Sequence, residues 1–155
     1  KNIKNKKINF YLIGNLWNTQ KKYFQKICSQ YPEVLQKIKW VKNNFNPVSI
    51  IGKLDITLCT STSESLPLSI CESMSSSSAI ISSNVGDVQK YIRIKNFHSG
   101  IVVKKREAKF YIHNINKLIK NRKLLKFYQL NARVVARKYF NINAYSKKLD
   151  KILTI

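Results

Sequence analysis

The amino-acid sequence predicts an α/β protein, with a parallel sheet, helices on both faces and a helical C-terminal end. Two observations carry that expectation. Short runs rich in β-branched and aromatic residues alternate with helical segments over the first two thirds of the 155 residues. From Ala108 onward only helical spacing remains. Strands separated by helical crossovers pair in parallel through right-handed connections, and their helices cover the sheet.

The elements follow in order. Lys7 to Gly14 (KINFYLIG) is apolar and stops at Gly14-Asn15, as a buried first strand would. Gln20 to Gln30 sets Tyr23, Phe24 and Ile27 on one helix face, and Pro32 closes the stretch. Ile38 to Val41 reads as a second strand, Asn43 to Pro47 as a turn cluster, and Val48 to Leu54 as a brief helix. Asp55 to Cys59 (DITLC) is too short for a helix between its flanks and becomes the third strand.

Pro67 to Ser75 fits a helix capped by Ser65 or Leu66, with the proline at an early position where its missing N–H costs nothing. Serines 75 to 78 end that helix. Ala79 to Ser82 is a fourth strand, Gly86 a turn, Val88 to Ile92 a helical turn, the FHSG segment a loop, and Ile101 to Val103 a fifth strand. The remainder keeps three-and-four spacing through Tyr111, Ile115, Leu118, Leu124, Tyr128 and Val134.

This length predicts a single domain, residues 1–155, and 44% hydrophobic content is ample for its core. No apolar run approaches the roughly 18 to 20 residues of a membrane span, and KNIKNKK does not lead into a signal-peptide core, so a cytoplasmic protein is expected. Cys28, Cys59 and Cys71 have no metal-ligand spacing and read as reduced, buried packing residues. With Lys+Arg 29 against Asp+Glu 7, the net charge of +22 attracts polyanions in general. Because the cations are scattered through every segment, a solvated surface explains most of them. An anionic membrane surface, at the inner face, ranks next, with nucleic acid behind it.

In so basic a chain, Glu64 and Glu72 bracket one short apolar segment, ESLPLSICE. A strand, a Ser/Thr turn at Thr60 to Ser63 and a helix start form the arrangement in which parallel α/β proteins place ligands. Unpaired first-turn amides and the positive helix end favour an anionic group such as a diphosphate, and the turn hydroxyls could add donors. Carboxylates suit paired hydroxyls better than phosphate, so a ribose and a hexose are the natural partners of two glutamates. The residues alone fit a second arrangement equally well, in which Glu64 helps to cap the helix and Glu72 meets a nearby lysine.

The segment from Asp55 to Ile92 resembles the donor-binding part of family 4 (group 1) glycosyltransferases, retaining enzymes of the GT-B fold. The landmarks come in the family's order: Asp55, Ser61 to Ser63, Glu64-Ser65-Leu66-Pro67, Glu72-Ser73-Met74, Ala79 to Ser82, Val85-Gly86-Asp87 and Gly100-Ile101-Val102. KINFYLIG, Ala132-Arg133 and Tyr139-Phe140 extend the likeness over nearly the whole chain. The resemblance implies a Rossmann-like half of a GT-B fold that binds a UDP- or GDP-sugar as substrate, with no cofactor and no metal. It assigns hydroxyls of the transferred sugar to Glu64, the catalytic candidate, and the nucleotide ribose to Glu72. Ser65, Leu66, Leu68 and Ser69 would surround the sugar and diphosphate, and Gly14 would approach the nucleotide. Trp17 is a candidate cover for the base, while His98 and His113 have no setting for a catalytic base.

Three departures stand out. Serines 75 to 78 replace a loop that usually carries glycine and proline, and Asp87 replaces a frequent second glycine. The chain begins after the point where the family has a Gly-Arg strand end and a lysine, so that cationic pair and the acceptor-binding N-terminal domain are expected to lie outside it. The implied function is donor binding for retaining transfer of a hexose to a glycan or lipid-linked acceptor, in polysaccharide or glycolipid synthesis. Two other readings compete: a basic nucleic-acid or polyanion-binding module, and a degenerate donor-like domain without catalysis.

Overall fold

A computed structural model of the chain describes residues 8–16, 18–42 and 46–153. Lys7, Trp17 and the Asn43 to Phe45 part of the expected turn lie outside the described residues. The chain divides into two compact units, Lys1–Pro47 and Val48–Ile155.

In the first unit, β1 (Phe10–Ile13) and β2 (Ile38–Val41) pair in parallel, Phe10 opposite Ile38 and Ile13 opposite Val41. Between them run α1 (Asn18–Gln30) and α2 (Pro32–Leu35). Pro32 does more than close the first helix. It opens the second, because a first helical position has no use for the amide that proline lacks. Trp40 ties this unit together, its ring 5.2 Å from Phe24 and its indole N–H donating to the Gly14 carbonyl at 2.8 Å.

The second unit contains α3 (Val48–Ile51), β3 (Ile56–Cys59), α4 (Leu68–Ser75), β4 (Ala79–Ser83) and α5 (Val88–Ile92). Then come β5 (Arg93–Ile94), β6 (Phe97–His98), β7 (Gly100–Val103), α6 (Ala108–Lys120), α7 (Arg122–Tyr139) and α8 (Ile142–Leu153). Its sheet has the order β3-β4-β7, all parallel, with Ile56 opposite Ala79 and Ile80 opposite Gly100. Central β4 is buried at every residue, as a strand covered on both faces must be.

Ile80 and Val102 pack with Ile70 and Met74 of α4, Val88 and Ile92 of α5, and Ala132 and Val135 of α7. Each such side chain contributes about 1.5–3 kcal/mol on burial. In the pleat, Ile81 and Val103 belong to the opposite face, and α6 lies against β4 and β7. The α/β class with a helix-flanked parallel sheet is therefore as expected.

Four local expectations change. The first strand is not buried, since Tyr11 and Leu12 of β1 are exposed. FHSG is not wholly loop: Phe97–His98 pairs antiparallel with Arg93–Ile94, and the Asn131 side chain donates to the His98 carbonyl at 3.0 Å. The helix cap is Pro67, not Ser65 or Leu66, with φ −62 and ψ 124 and no side-chain cap bond. Only Cys59 is buried, whereas Cys28 and Cys71 are half-buried; all three are reduced.

The serine tract keeps the glycine-type turn without a glycine. Ser77 stands at φ 63, in the left-handed region. Its N–H donates to the Met74 carbonyl at 3.1 Å and that of Ser78 to the Ser73 carbonyl at 2.8 Å, the paired bonds of a Schellman C-cap. An apolar contact usually accompanies that motif. Here Thr57 of β3 substitutes for it, with its hydroxyl 3.0 Å from Ser73 Oγ and 2.9 Å from Ser78 Oγ, so Thr57 partners the hydroxyls of both buried serines.

Candidate functional site

The loop after β3 is held from both sides. Ser61 Oγ donates to Glu64 Oε1 at 3.0 Å, and Ser83 Oγ, at the end of β4, donates to the Ser61 carbonyl at 2.7 Å. A bond to the buried central strand thus fixes the residue that orients Glu64. The Ser61 hydroxyl, expected as a free donor for a ligand, spends its proton on that carboxylate.

From the other side, the Val85-Gly86-Asp87 turn closes onto Ser65. The Asp87 N–H donates to the Ser65 carbonyl at 2.8 Å. Gly86 has φ +46, and a Cβ there would lie 1.9 Å from Ser65 O and 2.4 Å from Glu64 O. Only a residue without a side chain permits that approach. Asp87, in place of the frequent second glycine, keeps its backbone donor and pairs its carboxylate with Lys90 at 3.6 Å.

Pro67 is buried and starts α4 with its carbonyl accepting from Ile70 N at 3.0 Å and Cys71 N at 3.4 Å. The amides of Leu68 and Ser69 have no carbonyl behind them within the helix, and no side chain caps them. Ile70, Ser73 and Met74 are buried, so the helix turns Leu68, Ser69 and Glu72 outward. Leu68 is 77% exposed, unusual for leucine.

The alternative arrangement of the two glutamates is not what forms. Among the described residues Glu64 bonds to Ser61 and not to an α4 amide, and no ion pair to Glu72 is found. Both carboxylates are exposed, on a cap-free helix start and the loop that leads into it. Beside Glu72, burial pushes the Cys71 thiol above its ordinary range, with the Glu72 charge adding to the effect. A thiol so raised stays protonated at neutral pH and is a poor nucleophile.

The second unit therefore brings together Glu64, Ser65, Leu66, Leu68, Ser69 and Glu72 along one stretch of chain. Gly14 belongs to the first unit, where it ends β1 at φ +126 and donates to the Val41 carbonyl at 2.9 Å. Trp17 lies outside the described residues. His98 and His113 are exposed, and the bond made at His98 uses its backbone. The supporting roles of Ser61, Ser83 and Gly86 are what sequence reasoning does not find. No spacing rule links residue 65 to 86 or 61 to 83, although the turn glycine itself is visible.

Among the described residues no group of His, Cys, Asp and Glu could hold a metal ion, and no helix is long and apolar enough to cross a membrane.

Comparison with known proteins adds the family. No match among curated proteins is found. In fold the chain is similar to Anabaena HepE in complex with UDP, with a TM-score of 0.86 at 16% identity, covering 97% of this chain and 42% of that one. It is also similar to sucrose-phosphate synthase from Thermosynechococcus elongatus, with a TM-score of 0.81 at 15% identity, covering 93% and 37%. A glycosyltransferase from Rickettsia africae gives 0.80 at 20% identity, covering 95% and 40%. The chain thus spans about two fifths of the length of these relatives. The sequence model of the glycosyl transferases group 1 matches residues 1–135. That match takes in both glutamates and every support of their loop, and the chain belongs to the group 1 glycosyl transferases.

Proposed function

We infer that this chain is the donor-binding half of a retaining glycosyltransferase that uses a nucleotide-sugar. The observation that carries the reading is the Ser61–Glu64 bond: a carboxylate held in place before a helix whose first amides are uncapped. Glu64 would accept hydrogen bonds from hydroxyls of the transferred hexose, and Glu72 from the ribose. Leu68 and Ser69 amides would face the diphosphate, with Ser65 and Leu66 lining the space between.

The protein's part in transfer is positioning and electrostatic. A fixed donor puts the anomeric carbon within reach of an acceptor hydroxyl, and amide dipoles offset charge on the departing diphosphate. No metal or cofactor is required by these groups. The acceptor, a glycan or lipid-linked sugar, would be held by residues outside this chain. The 155-residue chain alone is then expected to bind donor weakly and to transfer nothing.

Calorimetric titration tests the two roles separately. HepE has been observed with UDP-glucose, which recommends that donor as the first probe. Glu64→Gln should weaken UDP-glucose binding about tenfold and leave UDP nearly untouched, as expected for losing charged hydrogen bonds to a sugar. Glu72→Gln should weaken both ligands alike. Absence of heat with UDP- and GDP-sugars, together with oligonucleotide binding that falls steeply with salt, would replace this reading with the polyanion-binding one.

A further inference from the structure

Helix α7 carries a second apolar stripe, opposite the one that packs in the core. Its buried side is Leu125, Ala132, Val135 and Ala136. Phe127, Leu130 and Val134, spaced three and four apart, share the outward side at 48%, 56% and 44% exposure. Beside Val134, a groove of about 200 Å³ is lined by Ile94, Phe97 and Tyr139 together with Lys95 and Lys138. Phe97 comes from the β5–β6 hairpin and is itself exposed, so the apolar surface continues off the helix.

The charge carried by α7 itself has one sign, although the Asp55 carboxylate accepts from Gln129 of the helix at 3.3 Å. The 18 residues of α7 contain no Asp or Glu. Arg122, Lys123, Lys126, Arg133, Arg137 and Lys138 are all exposed along it. Arg133 is partly engaged, donating to the Ser75 carbonyl at 3.1 Å. None of the residues that line the grooves on this surface belongs to the Glu64 loop or to α4.

We propose that the outward face of α7, with Phe97 of the hairpin, docks the protein on an anionic lipid bilayer. Aliphatic side chains at the centre gain by entering the acyl boundary, while the surrounding cations meet acidic headgroups. Nucleic acid fits less well, because a phosphate backbone gives Leu130 and Val134 no hydrocarbon to enter. A second copy of the chain fits less well too, since a symmetric contact would set these cations against themselves. From Phe127 to Val134 the stripe is only about 10 Å long. Binding therefore depends on both apolar contact and charge, and it is reversible.

Vesicle sedimentation of the 155-residue chain tests this independently of the donor reading. The expected result is partition onto vesicles of equal parts phosphatidylcholine and phosphatidylglycerol, and none onto phosphatidylcholine alone. Leu130→Ser with Val134→Ser should reduce partition about tenfold or more, with an unchanged melting temperature. Lys53→Ala with Lys104→Ala, which removes two charges outside the stripe, should change it less than twofold. The proposal is overturned if no partition onto the acidic vesicles occurs. It is overturned equally if the serine pair partitions like the parent chain, which would leave only diffuse charge attraction. A dimer in solution that these serines dissociate, with no lipid binding, would assign the stripe to self-association instead.

Discussion

Gly86 lies so close to Ser65 that any Cβ would enter the Ser65 carbonyl oxygen, while the next residue donates to that same oxygen. The turn after β4 therefore works as a clamp on the loop between Glu64 and α4. Gly86→Ala must push the two loops apart and occupy a left-handed conformation, at a cost of about 2–4 kcal/mol. A lower melting temperature and about tenfold weaker UDP-glucose binding are expected. An alanine variant with parental affinity would show that the clamp does not position the donor site.

Ser61 offers a finer probe of the same loop. Ser61→Ala removes the hydroxyl that orients Glu64 but leaves the Ser61 carbonyl bonded to Ser83. An exposed bond to a charged group is worth about 1 kcal/mol, so UDP-glucose affinity should fall roughly three- to tenfold with UDP little changed. Equal losses for both ligands would place Glu64 on the nucleotide instead of the sugar.

Ser77 is a site where stability can be gained. A left-handed residue other than glycine costs roughly 1–2 kcal/mol, and glycine's extra freedom in the unfolded chain returns part of that. Ser77→Gly should therefore stabilise by about 0.5–1 kcal/mol, seen as a melting temperature about 1–4 °C higher. An unchanged or lower midpoint would mean that the Ser77 side chain has a role of its own.

Cys71 sets an alkaline limit. Burial raises its folded-state value above the ordinary thiol value of about 8.5, so between the two the folded protein keeps a proton that the unfolded chain has lost. Stability is full below that ordinary value and falls as pH rises through the folded one. Urea melts from pH 8 upward should show the decline, and Cys71→Ser should flatten its first part. A parental slope in the serine variant would assign the loss to other groups, Tyr128 among them, since burial raises its phenol as well.

Much of this architecture is legible in the residues, for reasons that can be named. Ile38 to Val41 and Ile56 to Cys59 are short apolar runs between polar flanks, and nothing but a strand fits them. Helix α4 announces itself by Pro67 and ends in a serine run, although the proline proves to be the cap. The two-residue strands at Arg93 and Phe97 are too short to show any alternation, and they exist because Asn131 of α7 and the end of β7 lie beside them. In the site, the two glutamates can be found because acids are rare in this chain. Their supports cannot, since Ser83 and Gly86 reach the loop through the sheet and not through sequence spacing.

The Asp55 carbonyl accepts from Ala79 N at 3.0 Å and from the Gln129 amide at 3.3 Å, across 74 residues in the second case. Strand β3, which launches the Glu64 loop, is thereby completed by a helix near the end of the chain. At about 5–20 residues per second, a growing polypeptide needs roughly 4–15 s to pass from one partner to the other. The Glu64 loop is therefore expected to become ordered only after α7 has been made and can dock. A chain stopped before Arg122 should show no UDP-glucose binding even with both glutamates present, and ribosome-bound intermediates of that length should be open to protease at Thr60 to Pro67.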